Sequence, residues 1–220
     1  PPPPPPPPPP HHFHAEDGRR DTEASRGLGD VYTRPAFFKR LGICRVATPS
    51  ELVELLKFLT IAGVPTGPKI AGFTCSGGGA TMLADSAAPL ELDFVQPSSQ
   101  TATALTQLLP HTATVTNPLD YTTPIWGDYE RTLPVFKCLL EDGYDSAVLI
   151  QDYPAAGLDE SKPYYRADSD SFISACQTAN IPAAICSTLP ENLDAETRAH
   201  ILQAGVCLLY TSDAADESSS

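Results

Sequence analysis

The stretch that decides the fold is residues 73–81, "FTCSGGGAT", where an apolar run gives way to a serine and three glycines. The apolar run at residues 69–75 predicts a β-strand, and the run at residues 80–87 predicts a helix. A chain places glycines at such a junction for one of two reasons. Either the open backbone amides bind an anion, or two backbone segments pass very close. The stretch alone leaves both interpretations open, because it matches neither the P-loop nor the dinucleotide-binding pattern.

The alternation of strands and helices continues on both sides of this stretch. Further strands are predicted at residues 91–95, 113–116, 145–151 and 181–186. Helices are predicted at residues 48–63, 97–109, 128–142, 168–179 and 194–205. Strands that alternate with helices of ten or more residues form right-handed βαβ units. The sequence therefore predicts an α/β fold, a single domain with a mostly parallel sheet that helices cover.

The two ends of the chain do not share this pattern. Residues 1–34 open with ten prolines and continue as a polar segment without periodicity, and residues 207–220 read "CLLYTSDAADESSS". Both ends contain stretches that resemble translated sequencing-adapter sequence. We therefore expect both ends to be non-native or disordered and exclude them from the fold. The predicted domain covers residues 35–206.

The composition excludes several classes of partner. The chain carries 14 Lys and Arg against 27 Asp and Glu, a formal net charge of −13. Without a basic stripe we expect no nucleic-acid partner. No apolar run approaches the roughly 20 residues that cross a membrane, so no membrane partner is expected. The six cysteines contain no Cys-x-x-Cys pair, and together with the N-terminal histidines they predict no metal site.

A second candidate loop, "TNPLDYTTP" at residues 116–124, also lies between a predicted strand and a predicted helix. Asn117 before Pro118 favours a turn, and Asp120 can accept backbone N–H groups that hold the loop in shape. By local chemistry alone, a structural turn is the better interpretation. In parallel sheets, however, ligands bind beyond the carboxyl ends of the strands, where both loops are predicted to lie.

Taken in order, five segments of the core resemble one enzyme family. They read "FFKRLGICRVATPSEL", "KIAGFTCSGGGATMLADSA", "LTQLLPHTATVTNPLDYT", "VFKCLLEDGYDSAVLI" and "ANIPAAICSTLPEN". This core resembles the NDP-forming acyl-CoA synthetases, the ADP-forming acetyl-CoA synthetase group of the succinyl-CoA synthetase superfamily. The resemblance implies a flavodoxin-like, doubly wound ligase domain. It also implies a parent enzyme that joins an acid to CoA through an acyl phosphate, with a histidine relaying the phosphate.

The resemblance implies a role for each loop. The phosphate cradle facing the phosphohistidine would be formed by the residues of the glycine loop, Ser76, Gly77, Gly78 and Gly79. The same cleft would be lined by the residues that match the family's Asn-Pro-x-Asp loop, Asn117, Pro118 and Asp120. No catalytic residue is expected in this chain, because the histidine motif should lie upstream of the domain.

The resemblance places the cofactors and partners outside this chain. The parent enzyme is expected to use ATP or ADP, Mg²⁺ and CoA in the cytoplasm, whereas this chain alone should bind none of them. Its partners would be the CoA-binding, phosphohistidine and ATP-grasp domains of the same enzyme, whose oligomeric state the resemblance leaves open. The chain is then expected to be a fragment, inactive by itself.

Two other functions stay open on the sequence. Ser76 on a strand–helix turn, followed by Asp152 and His200, has the chain order of an α/β-hydrolase triad. Against this, Thr74 replaces the first glycine of the Gly-x-Ser-x-Gly elbow, and His200 lies within a predicted helix. The other alternative is a flavodoxin-like binding domain without chemistry of its own.

Overall fold

The computed structural model of the chain describes residues 37–38, 40–90, 92–155, 157 and 159–210. The chain divides into two compact units, Pro1–Pro49 and Ser50–Ser220. In the described part of the first unit, the amide of Leu41 closes a turn by donating to the carbonyl of Phe37. The second unit contains the sheet and every feature discussed below.

The second unit is built around one sheet of five parallel strands in the order β2-β1-β3-β4-β5. The strands are β1 (Ile70–Thr74), β2 (Leu119–Asp120), β3 (Ser146–Ile150), β4 (Ala183–Ser187) and β5 (Cys207–Tyr210). The helices are α1 (Pro49–Ile61), α2 (Gly77–Ala87), α3 (Ser99–Leu108), α4 (Tyr129–Leu140), α5 (Lys162–Ala179) and α6 (Ala195–Gln203). This strand order is that of flavodoxin-like folds, so the predicted fold class is confirmed.

Aromatic packing fixes the central strand against two helices. The ring of Phe73, on β1, meets the ring of Phe136, on α4, edge-on at a centroid distance of 4.8 Å. It also meets Phe172, on α5, at 5.8 Å. All three side chains are fully buried, and each such pair adds about 0.5–1.5 kcal/mol beyond the burial of its area. The carboxyl end of β1, where the glycine loop begins, is therefore held on a rigid base.

Three predicted boundaries differ from the structure. The strand expected at residues 113–116 does not form, and the pairing with β1 occurs at Leu119–Asp120 instead. Strand propensity depends on what the strand can pair with, which local sequence does not show. The strand expected at residues 91–95 is reduced, among its described residues, to one bridge between Asp93 and Lys69. Helix α5 begins at Lys162, six residues early, with Pro163 in its first turn, where proline is well tolerated.

The predicted end of the domain at residue 206 is also too early. Cys207–Tyr210 forms strand β5, and Cys207 pairs with Ala184 of β4. Its first residues are buried because the edge of β4 offers backbone partners and an apolar surface. Residues 1–34 and 211–220, which were also predicted to be disordered, lie outside the described residues. Within the described part of the chain, none of the helices has the length and apolar character that a membrane crossing requires.

Candidate functional site

The glycine loop, residues 76–79, forms the first turn of α2 directly after β1. Ser76 is the N-cap: its backbone is extended, and its Oγ accepts the amide of Gly79 at 3.2 Å. The amides of Gly77 and Gly78 have no hydrogen-bond partner among the described residues. Unpaired amides and the positive end of the helix dipole together favour an oxyanion. The structure thus gathers the four predicted cradle residues at one helix N-terminus.

The glycines of this loop serve two different purposes. A Cβ on Gly79 would lie 2.4 Å from Oγ1 of Thr74, so only glycine lets the helix pack this closely on the strand. A Cβ on Gly78 would meet nothing within 4 Å. Close packing of the helix on the side chain of Thr74 explains Gly79, whereas Gly77 and Gly78 are distinguished by their open amides. The two interpretations of the opening stretch thus concern different residues, and anion binding at Gly77 and Gly78 stays a prediction.

The glycine loop borders a cleft of about 470 Å³ at the carboxyl ends of β1, β3 and β4. This is the position next to β1 at which the strand order reverses, where doubly wound sheets bind ligands. The residues that line the cleft are Thr74, Cys75, Ser76, Gly79, Met82, Thr123, Trp126, Ile150, Gln151, Asp152, Tyr165 and Thr188. Within the described part of the chain, no Lys or Arg lines it. An anion here would be held by backbone amides and a helix dipole rather than by an ion pair.

A buried carboxyl group that no sequence pattern indicates supports the wall of this cleft. Asp168, on α5, is fully buried. It accepts hydrogen bonds from the hydroxyl of Tyr121 and, at 3.2 Å, from the amide of Gly127. Burial raises the pKa of Asp168 to about 6, although both hydrogen bonds act in the opposite direction. Asp168 thereby holds both ends of the segment that carries Trp126.

This raised pKa predicts a pH-dependent contribution to stability. Because the folded state holds the Asp168 proton more tightly, its contribution is complete below pH 3.8 and is lost as the pH rises through about 6. Between pH 5 and pH 7 the loss should be about 1–1.5 kcal/mol. Denaturant unfolding of the wild type and of Asp168→Asn, which cannot titrate, measures the difference at each pH. A difference that does not change between pH 5 and pH 7 would contradict the assignment.

The first two residues of the Asn-Pro-x-Asp loop hold β1 in place through hydrogen bonds and packing. Asn117 is 2% exposed. Its Oδ1 accepts the amide of Gly72 at 2.9 Å, and its Nδ2 donates to the carbonyls of Ile70 at 2.7 Å and Val95 at 3.0 Å. Pro118 packs over Gly72, where a Cβ would come within 3.0 Å of the proline ring. Asn117 and Pro118 are not among the residues that line the cleft, and in this structure they support β1 instead.

Asp120, the third residue of that prediction, lies beside the glycine loop. Its Oδ1 accepts the amide of Thr122 at 2.9 Å. Its Oδ2 lies 3.6 Å from the position that a Cβ on Gly77 would take. Asp120 is not among the residues that line the cleft, but its carboxylate adjoins the open amides. Its charge would oppose an anion there, so an anion bound at the loop would have to be held by the amides in spite of Asp120.

The structure does not assemble the hydrolase triad. The Oγ of Ser76 caps α2, and Asp152 holds the loop after β4 by accepting hydrogen bonds from Ser187 and Thr188. His200 lies on α6, where its Nε2 is 2.5 Å from Asp170 of α5. Ser76 and Asp152 line the same cleft, but His200 lines a different cavity. A serine nucleophile with His200 as its base is therefore excluded.

Comparison with known proteins points to the same enzyme family as the sequence motifs. No protein-family model matches the chain. Over 107 residues, which are 48% of this chain, it is 30% identical to the acetate–CoA ligase [ADP-forming] of Methanocaldococcus jannaschii. The match spans 15% of that protein.

Solved structures share the fold over most of the chain. The dinucleotide-forming acetyl-coenzyme A synthetase 1 of Ca. Korarchaeum cryptofilum, in its apo form, matches 90% of this chain with a TM-score of 0.64 and 18% identity. Its complex with phosphate and ADP matches 88% with the same TM-score. A protein of Pyrococcus horikoshii matches 83% with a TM-score of 0.63 and 23% identity.

The chain spans only part of each of these proteins. It covers 41–42% of the three solved chains and a smaller share of the curated relative. In sequence and in fold, this chain is similar to part of an ADP-forming acetate–CoA ligase, which confirms the resemblance to the NDP-forming acyl-CoA synthetases.

Proposed function

We propose that this chain is the flavodoxin-like part of an NDP-forming acid–CoA ligase and that its glycine loop binds a phosphoryl group. The observation that carries the proposal is the pair of unpaired amides, Gly77 and Gly78, at the start of an 11-residue helix. The flanking residues Ser76 and Gly79 line the cleft. The named similarities support it, because one related structure is a complex with phosphate and ADP. Every α-helix leaves its first amides without an intrahelical partner, so it is the position of these two at the carboxyl end of β1 that supports the proposal.

The proposed role is electrostatic. In such a ligase the carboxylate of the acid attacks a phosphoryl group and displaces its carrier, and the CoA thiol then attacks the acyl phosphate and releases phosphate. Open amides at a helix N-terminus stabilise the negative charge that the phosphoryl oxygens carry through both steps. The helix is fixed before the reaction, so no reorganisation is needed when the charge arrives.

The remaining parts of the reaction belong to other domains on this proposal. Among the described residues, no group of three or more His, Cys, Asp or Glu could hold a metal ion. We assign the nucleotide, Mg²⁺, CoA and the phosphohistidine to the CoA-binding, phosphohistidine and ATP-grasp domains of a longer enzyme. This chain then contributes one side of a phosphoryl site. With amides alone, its affinity for free phosphate should be weak, in the range of about 1 mM.

Replacing Gly77 with proline tests whether the amide hydrogen of Gly77 binds phosphate. Gly77 is the first helical residue, where proline fits, and the extended backbone of Ser76 is the conformation that a following proline requires. The substitution therefore removes one amide hydrogen without breaking α2. A lost hydrogen bond to a charged group corresponds to roughly 10- to 100-fold weaker phosphate binding. Nuclear magnetic resonance titration of the whole chain with inorganic phosphate measures the affinity.

The matched control is Gly77→Ala, which adds a side chain but keeps the amide. Its Cβ would lie 3.6 Å from Asp120, an ordinary van der Waals contact, so phosphate affinity should stay within about threefold of the wild type. Far-ultraviolet circular dichroism should be the same for both variants. Equal phosphate affinity in Gly77→Pro and Gly77→Ala would refute the assignment of the amides.

A further inference from the structure

The cleft beside the glycine loop presents a set of apolar side chains to solvent. Met82, on α2, is 43% exposed, and Trp126, Ile150 and Tyr165 are half-buried. All four line the cleft, and they come from four different segments of the chain. Apolar surface that stays in contact with water is unfavourable, so a ligand that covers these side chains would gain free energy of binding.

The aromatic part of this lining is held in place by the protein itself. The ring of Trp126 meets the ring of Tyr165 edge-on at a centroid distance of 4.7 Å. On either side of Trp126, the hydroxyl of Tyr121 and the amide of Gly127 donate to the buried carboxyl group of Asp168. Because the rings are already fixed, a ligand that contacts them loses little free energy in ordering the site.

The chemistry of these side chains favours an aromatic ring as the ligand group. Trp and Tyr rings pair with another ring in offset or edge-on arrangements. A methionine sulfur makes favourable contacts with ring edges, and the unbranched side chain of Met82 can adapt to the ring that it meets. The cleft volume of about 470 Å³ lies in the range of roughly 300–1,000 Å³ that is typical of small-molecule sites. Acetate or phosphate alone would leave most of this space unfilled.

The charge of the lining separates an acid from a nucleotide. Among the described residues that line the cleft, Asp152 is the one that carries a charge, and it accepts four hydrogen bonds from residues 187–189. A nucleotide or CoA would bring several phosphate charges to this carboxylate without a cation to offset them. A carboxylic acid brings one charge. Ser76 lines the cleft and precedes the open amides directly, so a carboxylate at that end adjoins the proposed phosphoryl site.

We infer that the cleft binds the side chain of the acid substrate and that this acid is aromatic, an arylacetic type of acid. Its ring would lie against Met82, Trp126 and Tyr165, with its carboxylate toward Ser76. The inference rests on the proposed function, because that function makes a carboxylic acid the substrate. It departs from the acetate–CoA ligase and the acetyl-coenzyme A synthetase to which the chain is similar, since both are named for a smaller acid.

The cleft contains its own probes, because Trp126 is the only tryptophan of the chain and Met82 is its only methionine. Phenylacetate, titrated into the whole chain at pH 7, should shift the methyl resonance of Met82 and change the fluorescence of Trp126. It should bind at least about tenfold more tightly than acetate, because its ring buries apolar area that acetate lacks. Equal affinities for the two acids, or no change at Met82 and Trp126, would overturn the inference.

A pair of exposed-site variants assigns this binding to the cleft. Met82→Gln keeps the length of the side chain but makes it polar, so phenylacetate should bind about three- to tenfold more weakly by Trp126 fluorescence. Leu108→Gln is the matched control: Leu108 is 39% exposed on α3 and does not line the cleft. Its affinity for phenylacetate should equal that of the wild type. Equal affinities in both variants would contradict the inference.

A separate titration with inorganic phosphate distinguishes this inference from the proposed function. Phosphate should shift the amide resonances of Gly77 and Gly78, which phenylacetate binding does not require. Phosphate binding without phenylacetate binding would overturn the inference and leave the proposed function standing. Phenylacetate binding without phosphate binding would remove the proposed function, and the acid would then be a ligand of the cleft and not a substrate.

Discussion

Replacing Asn117 with alanine is expected to lower the free energy of unfolding by about 3–5 kcal/mol, a large part of the stability of an ordinary domain. Three backbone groups would each lose a hydrogen bond at once: the amide of Gly72 and the carbonyls of Ile70 and Val95. Of these, the carbonyl of Val95 still accepts the hydroxyl of Tyr144 at 2.8 Å. The amide of Gly72 and the side chain of Asn117 are buried, so water cannot easily replace those bonds. Each buried group left unpaired costs about 1–3 kcal/mol. Chemical denaturation followed by circular dichroism measures the loss.

Asn192→Ala is the matched control for this prediction. Asn192 is half-buried, and its side chain donates to the carbonyl of Tyr153 at 3.0 Å. Its loss should cost only about 1 kcal/mol. If Asn117→Ala unfolded at the same denaturant concentration as the wild type but bound phosphate more weakly, Asn117 would not be needed to support β1. Its predicted role in the cleft would then be favoured. A loss of binding that follows the folded fraction is the expected result.

Replacing Gly79 with alanine is also expected to lower the free energy of unfolding strongly. The new Cβ would lie 2.4 Å from Oγ1 and 3.2 Å from Cβ of Thr74, a buried residue on a central strand that cannot easily move. Overpacking of this kind costs about 1–3 kcal/mol, and the displaced helix would also shift the open amides. We therefore expect both a destabilised domain and weaker phosphate binding.

Gly78→Ala provides the comparison within the same turn. Its Cβ would meet nothing within 4 Å, and alanine is favoured over glycine in a helix by about 1 kcal/mol. Both variants gain the same helix propensity, so they should differ by the cost of overpacking at residue 79, about 1–3 kcal/mol in the free energy of unfolding. Equal stability in the two would show that α2 does not pack on β1 as the structure has it.

The sequence predicted those parts of the fold that local patterns specify. β1, β3 and β4 are short apolar runs between turn residues, and the glycine loop directly follows the first of them. The paired strand β2 was missed because it is two residues long and forms only against β1, to which Leu119 is brought by the fold. β5 was missed because its residues belong to a stretch that resembles translated sequencing-adapter sequence and was excluded from the fold.

Within the site, the sequence predicted the donors but not the groups around them. The amides of Gly77 and Gly78 follow from a serine and glycines at a helix start, which are local signals. Asn117 bonds to residues 45 and 47 positions away, and Asp168 to residues 41 and 47 positions away, so no local pattern shows either set of partners. The apolar lining of the cleft was likewise invisible, because its side chains come from separate segments that only the packed structure brings together.

The absence of Lys and Arg from the lining of the described cleft has a consequence for how the site would be filled. A chain with a net charge of −13 repels free phosphate, and amides alone do not draw it from a distance. A phosphoryl group on a tethered side chain of a neighbouring domain, in contrast, arrives at an effective concentration in the millimolar range. If the proposed function is right, the site stays empty in dilute free phosphate. It is filled when the phosphoryl group on the neighbouring domain reaches it. Weak intrinsic affinity then lets that group leave again within each cycle.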